Sequence, residues 1–190
     1  MNFMIKKIFD NIYNKLLLKK HRVKYGANLK INGRLLLCGT GDLIIGDNVT
    51  INSSFESNPT GGGNRTCISV KKNARLIIGN NVGISNSTIA VIESVTIEDD
   101  VRIGSSCMIA DNDFHSIIYE ERMHKPGIGT KSAQVTIRKG AFVGARSIIL
   151  KGSVVGEKSV IGAGSVVTKK IPDNEIWARN PAKFVRTIKS

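Results

Sequence analysis

An aliphatic residue returns at every sixth position through Ile137, Val143, Ile149, Val155, Ile161 and Val167. Four positions after each of the first five stands a small side chain: Ala141, Ser147, Ser153, Ser159 and Ser165. A period of six matches neither the 3.6-residue helix nor the two-residue alternation of a strand. It matches a short strand followed by a tight corner, repeated. Three such segments would close one turn of a coiled parallel sheet in about eighteen residues, with each turn stacking on the one below. Each stacked Ile, Val or Leu would then contribute roughly 1.5–3 kcal/mol by burial. The Asp, Asn, Lys and Gly residues between the aliphatics suit exposed turns. A meander or sandwich of short strands is the alternative, and the unbroken hexads argue against it.

The pattern extends upstream in a more ragged form. Ile45 and Ile51 make one pair and Ile78 and Ile84 another; after a one-residue slip, Val91, Ile97, Ile103 and Ile109 make a run. Residues 44–54 (IIGDNVTINSS) and 77–87 (IIGNNVGISNS) are near copies. The chain of 190 residues therefore reads as one solenoid domain over residues 24–190, preceded by a distinct segment, 1–23.

Two insertions interrupt the coils. Residues 56–66 contain Pro59, Gly61, Gly62 and Gly63 and read as a flexible surface loop. Residues 111–134 hold most of the candidate chemistry, and long loops in compact domains are often functional. At the N-terminus, residues 2–20 place Ile5, Ile8, Phe9, Ile12, Leu16 and Leu17 at helical spacing among Lys6, Lys7, Lys15, Lys19 and Lys20. This is a basic amphipathic helix, too charged to span a bilayer and followed by no small-residue cleavage site. It either covers the open end of the first coil or makes peripheral contact with a membrane surface; the cap is favoured because a solenoid end must be covered. At the C-terminus, Pro172 and Pro181 break the hexads, and Trp177, Phe184, Val185 and Ile188 are expected to fold over the last coil.

Lys and Arg number 28 against 15 Asp and Glu, a formal charge of +13 that favours phosphates or anionic surfaces. Nucleic acid is disfavoured as a partner. The basic residues are scattered, aromatics are 5%, and no nucleic-acid-binding motif appears. A small nucleotide-bearing ligand would use the same charge. Cys38, Cys67 and Cys107 are odd in number and widely spaced, which argues for free thiols in a reducing, cytoplasmic compartment. Cys107 stands at a corner position and reads as filler.

Of the three histidines, His21 sits beside the helix and Arg22, and His124 lies in a charged loop. His115 follows the strand ending at Ala110 by only a few residues, so a rigid element can hold it as a proton acceptor. Asp111 and Asp113 are near enough in sequence to orient its imidazole or to meet an acceptor hydroxyl. No metal site is expected, because His115 and His124 lack the spacing of convergent ligands. The corner serines are explained by size, and nothing marks one as a nucleophile.

The hexads, the 111–115 segment DNDFH and the tail 160–181 (VIGAGSVVTKKIPDNEIWARNP) resemble hexapeptide-repeat acyltransferases of the left-handed parallel β-helix type. Within that family the chain is most similar to O-acetyltransferases acting on sugars and polysaccharides. The resemblance implies an all-β, left-handed parallel β-helix and a homotrimer with active sites between subunits. It also implies acetyl-CoA as acyl donor and a sugar or glycan acceptor, with a location in the cytoplasm or at the inner face of the membrane. On its pattern His115 is the general base and Asn86 faces the acceptor, with Asp111 and Asp113 added as acceptor candidates by their closeness to His115 in sequence. Phe142, Gly144, Ala145, Gly162, Ala163, Thr168, Lys169, Lys183 and Arg186 would meet the coenzyme. Transfer to an amino-sugar nitrogen is the enzymatic alternative, and a glycan-binding solenoid without activity is the other. Arg122 is a further candidate for substrate contact.

Overall fold

The computed structural model describes residues 3–124 and 127–189. Residues 2 and 190, where the expected helix begins and the expected domain ends, and Lys125, which follows His124, lie outside the described residues. The chain winds as a three-sided coil. The first face carries strands Lys24–Tyr25, Asp42–Ile45, Arg75–Ile78, Ser94–Ile97, Val135–Ile137, Val154–Val155 and Lys170–Ile171. The second carries Lys30–Gly33, Thr50–Ser53, Gly83–Ser85, Arg102–Ile103, Phe142–Val143, Val160–Ile161 and Glu175–Ala178, then Lys183–Thr187. The third carries Leu36–Gly39, Cys67–Val70, Thr88–Val91, Met108–Ala110, Ile148–Ile149 and Val166–Val167. Among the described residues these strands pair in parallel except in the terminal hairpin, Glu175–Ala178 with Lys183–Thr187, and a single antiparallel bridge joins Asn112 to Ser132.

The register explains the period. Ile137 pairs with Val155, Val143 with Ile161 and Ile149 with Val167, so each inward aliphatic rests on its equivalent one coil later. All six are fully buried, and so are Ala141, Ser147, Ser153, Ser159 and Ser165. The serines do more than save space. Ser147 Oγ donates to Gly162 O at 3.0 Å, Ser153 Oγ to Val167 O at 3.1 Å and Ser159 Oγ to Pro172 O at 2.6 Å, so each buried hydroxyl is satisfied by a carbonyl of the next coil.

The corner between the first and second faces requires a left-handed residue in each coil. Asn28, Asn48, Asn81, Asp100, Gly140, Lys158 and Asn174 occupy it, with φ between 54° and 69°. Asn, Asp and Gly accept that conformation at low cost, which accounts for most of the GDN-like phrases. Asn28 Nδ2 donates to Asn48 Oδ1 at 2.9 Å and Asn81 Nδ2 to Asp100 Oδ1 at 3.0 Å, so these corners also bond along the stack.

Helix α1 (Phe3–Lys20) lies against the first coil, but with an unexpected face inward. Asp10, Asn14 and Leu18 are buried, whereas Ile5, Ile8, Phe9, Ile12 and Leu16 are exposed. The physical reason is the start of the solenoid, where backbone groups lack a preceding coil. Asn14 Nδ2 donates to Gly33 O at 2.8 Å while its Oδ1 accepts from Leu35 N at 3.0 Å. Arg34 Nε reaches Asp10 Oδ1 at 2.7 Å, and Lys6 Nζ donates to Glu56 Oε1 at 2.5 Å, holding that exposed carboxyl down to about 2. His21, beside the end of the helix, has Nδ1 3.0 Å from Gly39 O. No helix among the described residues is long and apolar enough to cross a membrane.

The C-terminal cover is also narrower than expected. Ile171 and Ala182 are buried and Trp177 packs on the core, but Phe184 and Val185 stay exposed. They do not cover the last coil, because the hairpin continues the second face as a strand rather than folding across its end.

Candidate active site

The second insertion leaves the stack after Met108–Ala110 and returns at Val135–Ile137, at the corner between the third and first faces. Its root is Asp111, which is fully buried. Asp111 Oδ1 accepts from Ile92 N at 2.9 Å, and Oδ2 accepts from Glu93 N and Ser94 N, each at 2.8 Å. Asn112 Nδ2 adds a further donor at 3.0 Å. The carboxylate expected at the acceptor therefore ties the loop to the coil and has no face toward substrate.

From this anchor the chain turns to present His115. Asn112 Oδ1 accepts from Phe114 N at 2.9 Å, an Asx turn that places Phe114 in the left-handed region at φ 61°. His115 N then donates to Asp113 O at 2.6 Å. Asp113 is held in turn by Lys151 Nζ at 2.8 Å, from the corner of the next coil. The His115 side chain is exposed, and its ring makes no hydrogen bond among the described residues. An imidazole fixed at its backbone and open at both nitrogens can take a proton from a ligand.

The outer part of the insertion is organised by Ser116. Its Oγ donates to Glu121 Oε2 at 2.6 Å and accepts from Ile118 N at 3.1 Å, just ahead of helix α2 (Tyr119–His124). Arg122 Nη1 donates to Ser116 O at 3.0 Å and Ile117 O at 3.2 Å, so the guanidinium works within the loop. In the insertion that carries His115 the apolar side chains of Phe114, Ile117, Ile118, Tyr119, Met123 and Ile128 are all exposed. Single exposed apolar residues are ordinary, whereas six in one insertion are not.

The remaining expected residues fall on other parts of the prism. Asn86 is at the corner between the second and third faces at φ 47°, in series with Ser106, Arg146 and Gly164. It is buried beneath the first insertion, donating from Nδ2 to Ser54 O at 3.2 Å and Asn64 O at 2.5 Å. That insertion is pinned, contrary to its glycine-rich appearance: Ser106 Oγ donates to Gly61 O and Thr60 Oγ1 lies 2.7 Å from Ser105 Oγ. Among the described residues Asn86 Oδ1 is left buried without a hydrogen bond, and an acceptor could reach it only if this loop lifted.

Gly144 and Ala145, two coils on, and Gly162 and Ala163, three coils on, continue the same corner series. A Cβ on Gly144 would come within 2.6 Å of Ala163 N, so glycine is required where backbones of successive coils stack. Phe142 is exposed on the second face, beside Arg102 in register. With Asn52, Ser85 and Gly104 these two line a groove along that face. Asn52 Nδ2 donates to Ser85 Oγ at 3.0 Å. Asn52, Ser85 and Arg102 escaped the sequence reading because outward polar positions on a strand look like ordinary solvent-facing residues. Lys151 escaped it too, since only the fold brings it to Asp113.

Thr168 and Lys169 are exposed on the edge shared with His115, and Lys169 Nζ sits 5.1 Å from the centre of the Trp177 ring. Lys183 and Arg186 are exposed on the terminal hairpin. Cys107 is buried with Sγ 3.2 Å from Gly144 O, and burial pushes its thiol pKa up, the opposite of an activated nucleophile. Among the described residues no three His, Cys, Asp or Glu side chains converge. One chain thus carries His115 on one edge and the Gly144–Gly162 corner series on another.

The sequence family described as "Bacterial transferase hexapeptide (six repeats)" matches residues 134–169. A solved structure of an AntD variant, an N-acyltransferase from Bacillus cereus in complex with dTDP and coenzyme A, is similar at TM-score 0.72 and 22% identity, covering 93% of this chain and 90% of that one. The chain is a left-handed hexapeptide β-helix. The polySia-specific acetyltransferase NeuO shares this β-helix at TM-score 0.59 and 24% identity, covering 88% of this chain and 89% of that one. A hexapeptide transferase family protein from Anaplasma phagocytophilum does so at TM-score 0.57 and 22% identity, over 88% and 85% of the two chains. No curated protein matches the sequence.

Proposed function

We propose that this β-helix transfers an acyl group, acetyl in the simplest case, from acyl-coenzyme A to a hydroxyl of a sugar or glycan, with His115 as general base. The observation that carries the reading is the open imidazole on a backbone-locked turn, in an insertion with exposed apolar residues on a hexapeptide β-helix. His115 would remove the hydroxyl proton as the oxygen attacks the thioester carbonyl. The carbon–sulfur bond then breaks, and the proton passes to the departing thiolate, giving an ester and free coenzyme A. Such a base is worth about 10²–10⁴ in rate.

Two further features support the reading. The base and the Gly144–Gly162 corner lie on different edges, so two chains placed side by side would unite them, and a homotrimer does this three times over. The exposed Phe114, Ile117, Ile118, Tyr119 and Met123 side chains supply apolar surface for such a contact. On this arrangement Phe142, Gly144, Ala145, Gly162 and Ala163 border the pantetheine arm. Thr168, Lys169, Lys183 and Arg186 lie toward the phosphates, where their charge is complementary. Asp113, held by Lys151, stays beside the base on the acceptor side.

The second reading is transfer to an amino-sugar nitrogen. In its favour, an AntD variant from Bacillus cereus with the same β-helix was solved with dTDP-4-amino-4,6-dideoxyglucose and coenzyme A, whereas NeuO acts on polysialic acid. Release of free thiol from acetyl-CoA, measured over a panel of nucleotide-linked and oligomeric sugars with and without amino groups, separates them. Turnover with acceptors that carry hydroxyls alone is expected. Turnover restricted to amine acceptors would establish nitrogen transfer, and absence of both turnover and coenzyme binding would leave a glycan-binding solenoid.

A further inference from the structure

We infer that helix α1 is a peripheral anchor that seats the protein on bilayers carrying anionic phospholipid. Ile5, Ile8, Phe9, Ile12 and Leu16 recur at helical spacing and form one stripe, each side chain between 46% and 63% exposed. At 100° per residue the centre of this stripe lies about 180° from Asn14. Asn14 and Asp10 face the coil, so the apolar side of α1 points directly away from the rest of the protein. Single exposed apolar residues are ordinary, but five on one helical face need an occupant.

The charges identify that occupant. Lys15 borders the stripe on one side and Lys20 on the other, with Lys19 in line with it at its C-terminal end, and none of them makes an ion pair among the described residues. The one acidic residue of the helix, Asp10, is engaged by Arg34. A second copy docking on the same face would bring lysines against lysines, which is unfavourable for a self-complementary contact. Anionic head groups would meet the lysines while the stripe enters the interface between head groups and acyl chains. The helix turns Asp10, Asn14 and Leu18 toward its own coil and the apolar stripe outward, so its docked orientation already presents the binding side. The placement would also bring the acceptor site close to lipid-borne glycans, a consequence that rests on the acyl-transfer reading.

Co-sedimentation of the full chain with phosphatidylcholine vesicles, with and without phosphatidylserine, tests the anchor without recourse to activity. Binding is expected only when phosphatidylserine is present. Lys15→Glu with Lys19→Glu should weaken it by roughly 25-fold or more, since each basic residue near an anionic surface is worth about five-fold. Ile8→Glu with Ile12→Glu should abolish it while leaving the thermal midpoint unchanged, because these side chains contact solvent. Absence of wild-type binding, or binding that survives both double substitutions, overturns the proposal. So does an Ile8→Glu, Ile12→Glu variant that splits a wild-type oligomer while the wild type ignores vesicles, which would give the stripe to a second copy.

Discussion

Asp111→Asn tests how the solenoid supports its candidate base. The side chain is fully buried, and its two oxygens accept three backbone N–H groups, those of Ile92, Glu93 and Ser94, at the entry to the Ser94–Ile97 strand. Replacing one oxygen by an amide sets a donor against donors on that side and removes the charge that strengthens the bonds on the other. A buried donor left unsatisfied costs about 1–3 kcal/mol, so losing two to three of them costs roughly 2–9 kcal/mol. For a chain of this size the midpoint moves about 2–4 °C per kcal/mol, a fall of roughly 4 °C at the least. Thermal unfolding followed by circular dichroism, at matched protein concentration, reads it directly. Asp111→Ala should be no better, because the cavity adds to the orphaned donors. A midpoint within about 2 °C of wild type for both variants would refute the assignment of Asp111 as the tie between coil and loop.

Other expectations follow from named contacts. Asn86→Ala should release the 56–66 insertion, which loses the bonds to Ser54 O and Asn64 O; amide exchange in that segment should accelerate while the hexad strands stay protected. Gly144→Ala should destabilise by about 1–3 kcal/mol, because its new methyl meets the Ala163 backbone rather than a movable side chain, and a denaturant midpoint checks this.

Much of the fold was legible because the hexads state the core directly. Ile137 through Val167 are inward because nothing else has a period of six, and their small partners fit the corners. Helix α1 was legible as a helix but not in its orientation. Amphipathic logic turns the apolar face inward, whereas the first coil needed hydrogen-bond partners for Gly33 O and Leu35 N, and Asn14 supplies both. Asp111 misled for a similar reason: an acid four residues before a histidine reads as its partner, but its donors come from residues 92–94, close only after a full turn of the coil. The first insertion looked mobile from its glycines, yet Gly61 is pressed against Asn86 so closely that a Cβ there would sit 2.5 Å from that side chain. Phe184 and Val185 looked like a cap, but pairing with Glu175–Ala178 keeps them on the second face. In each case hydrogen-bond demand at a distance, invisible in local patterning, decided the outcome.

The most direct test of the central claim is the rate of thiol release from acetyl-CoA by His115→Ala, with coenzyme affinity measured on the same sample by calorimetry. Loss of a base that touches only the acceptor hydroxyl should lower the rate by about 10²–10⁴ and leave coenzyme affinity within about two-fold of wild type. Turnover undiminished by the substitution would contradict the account, as would equal loss of turnover and coenzyme affinity, which would make His115 a coenzyme contact instead of the base.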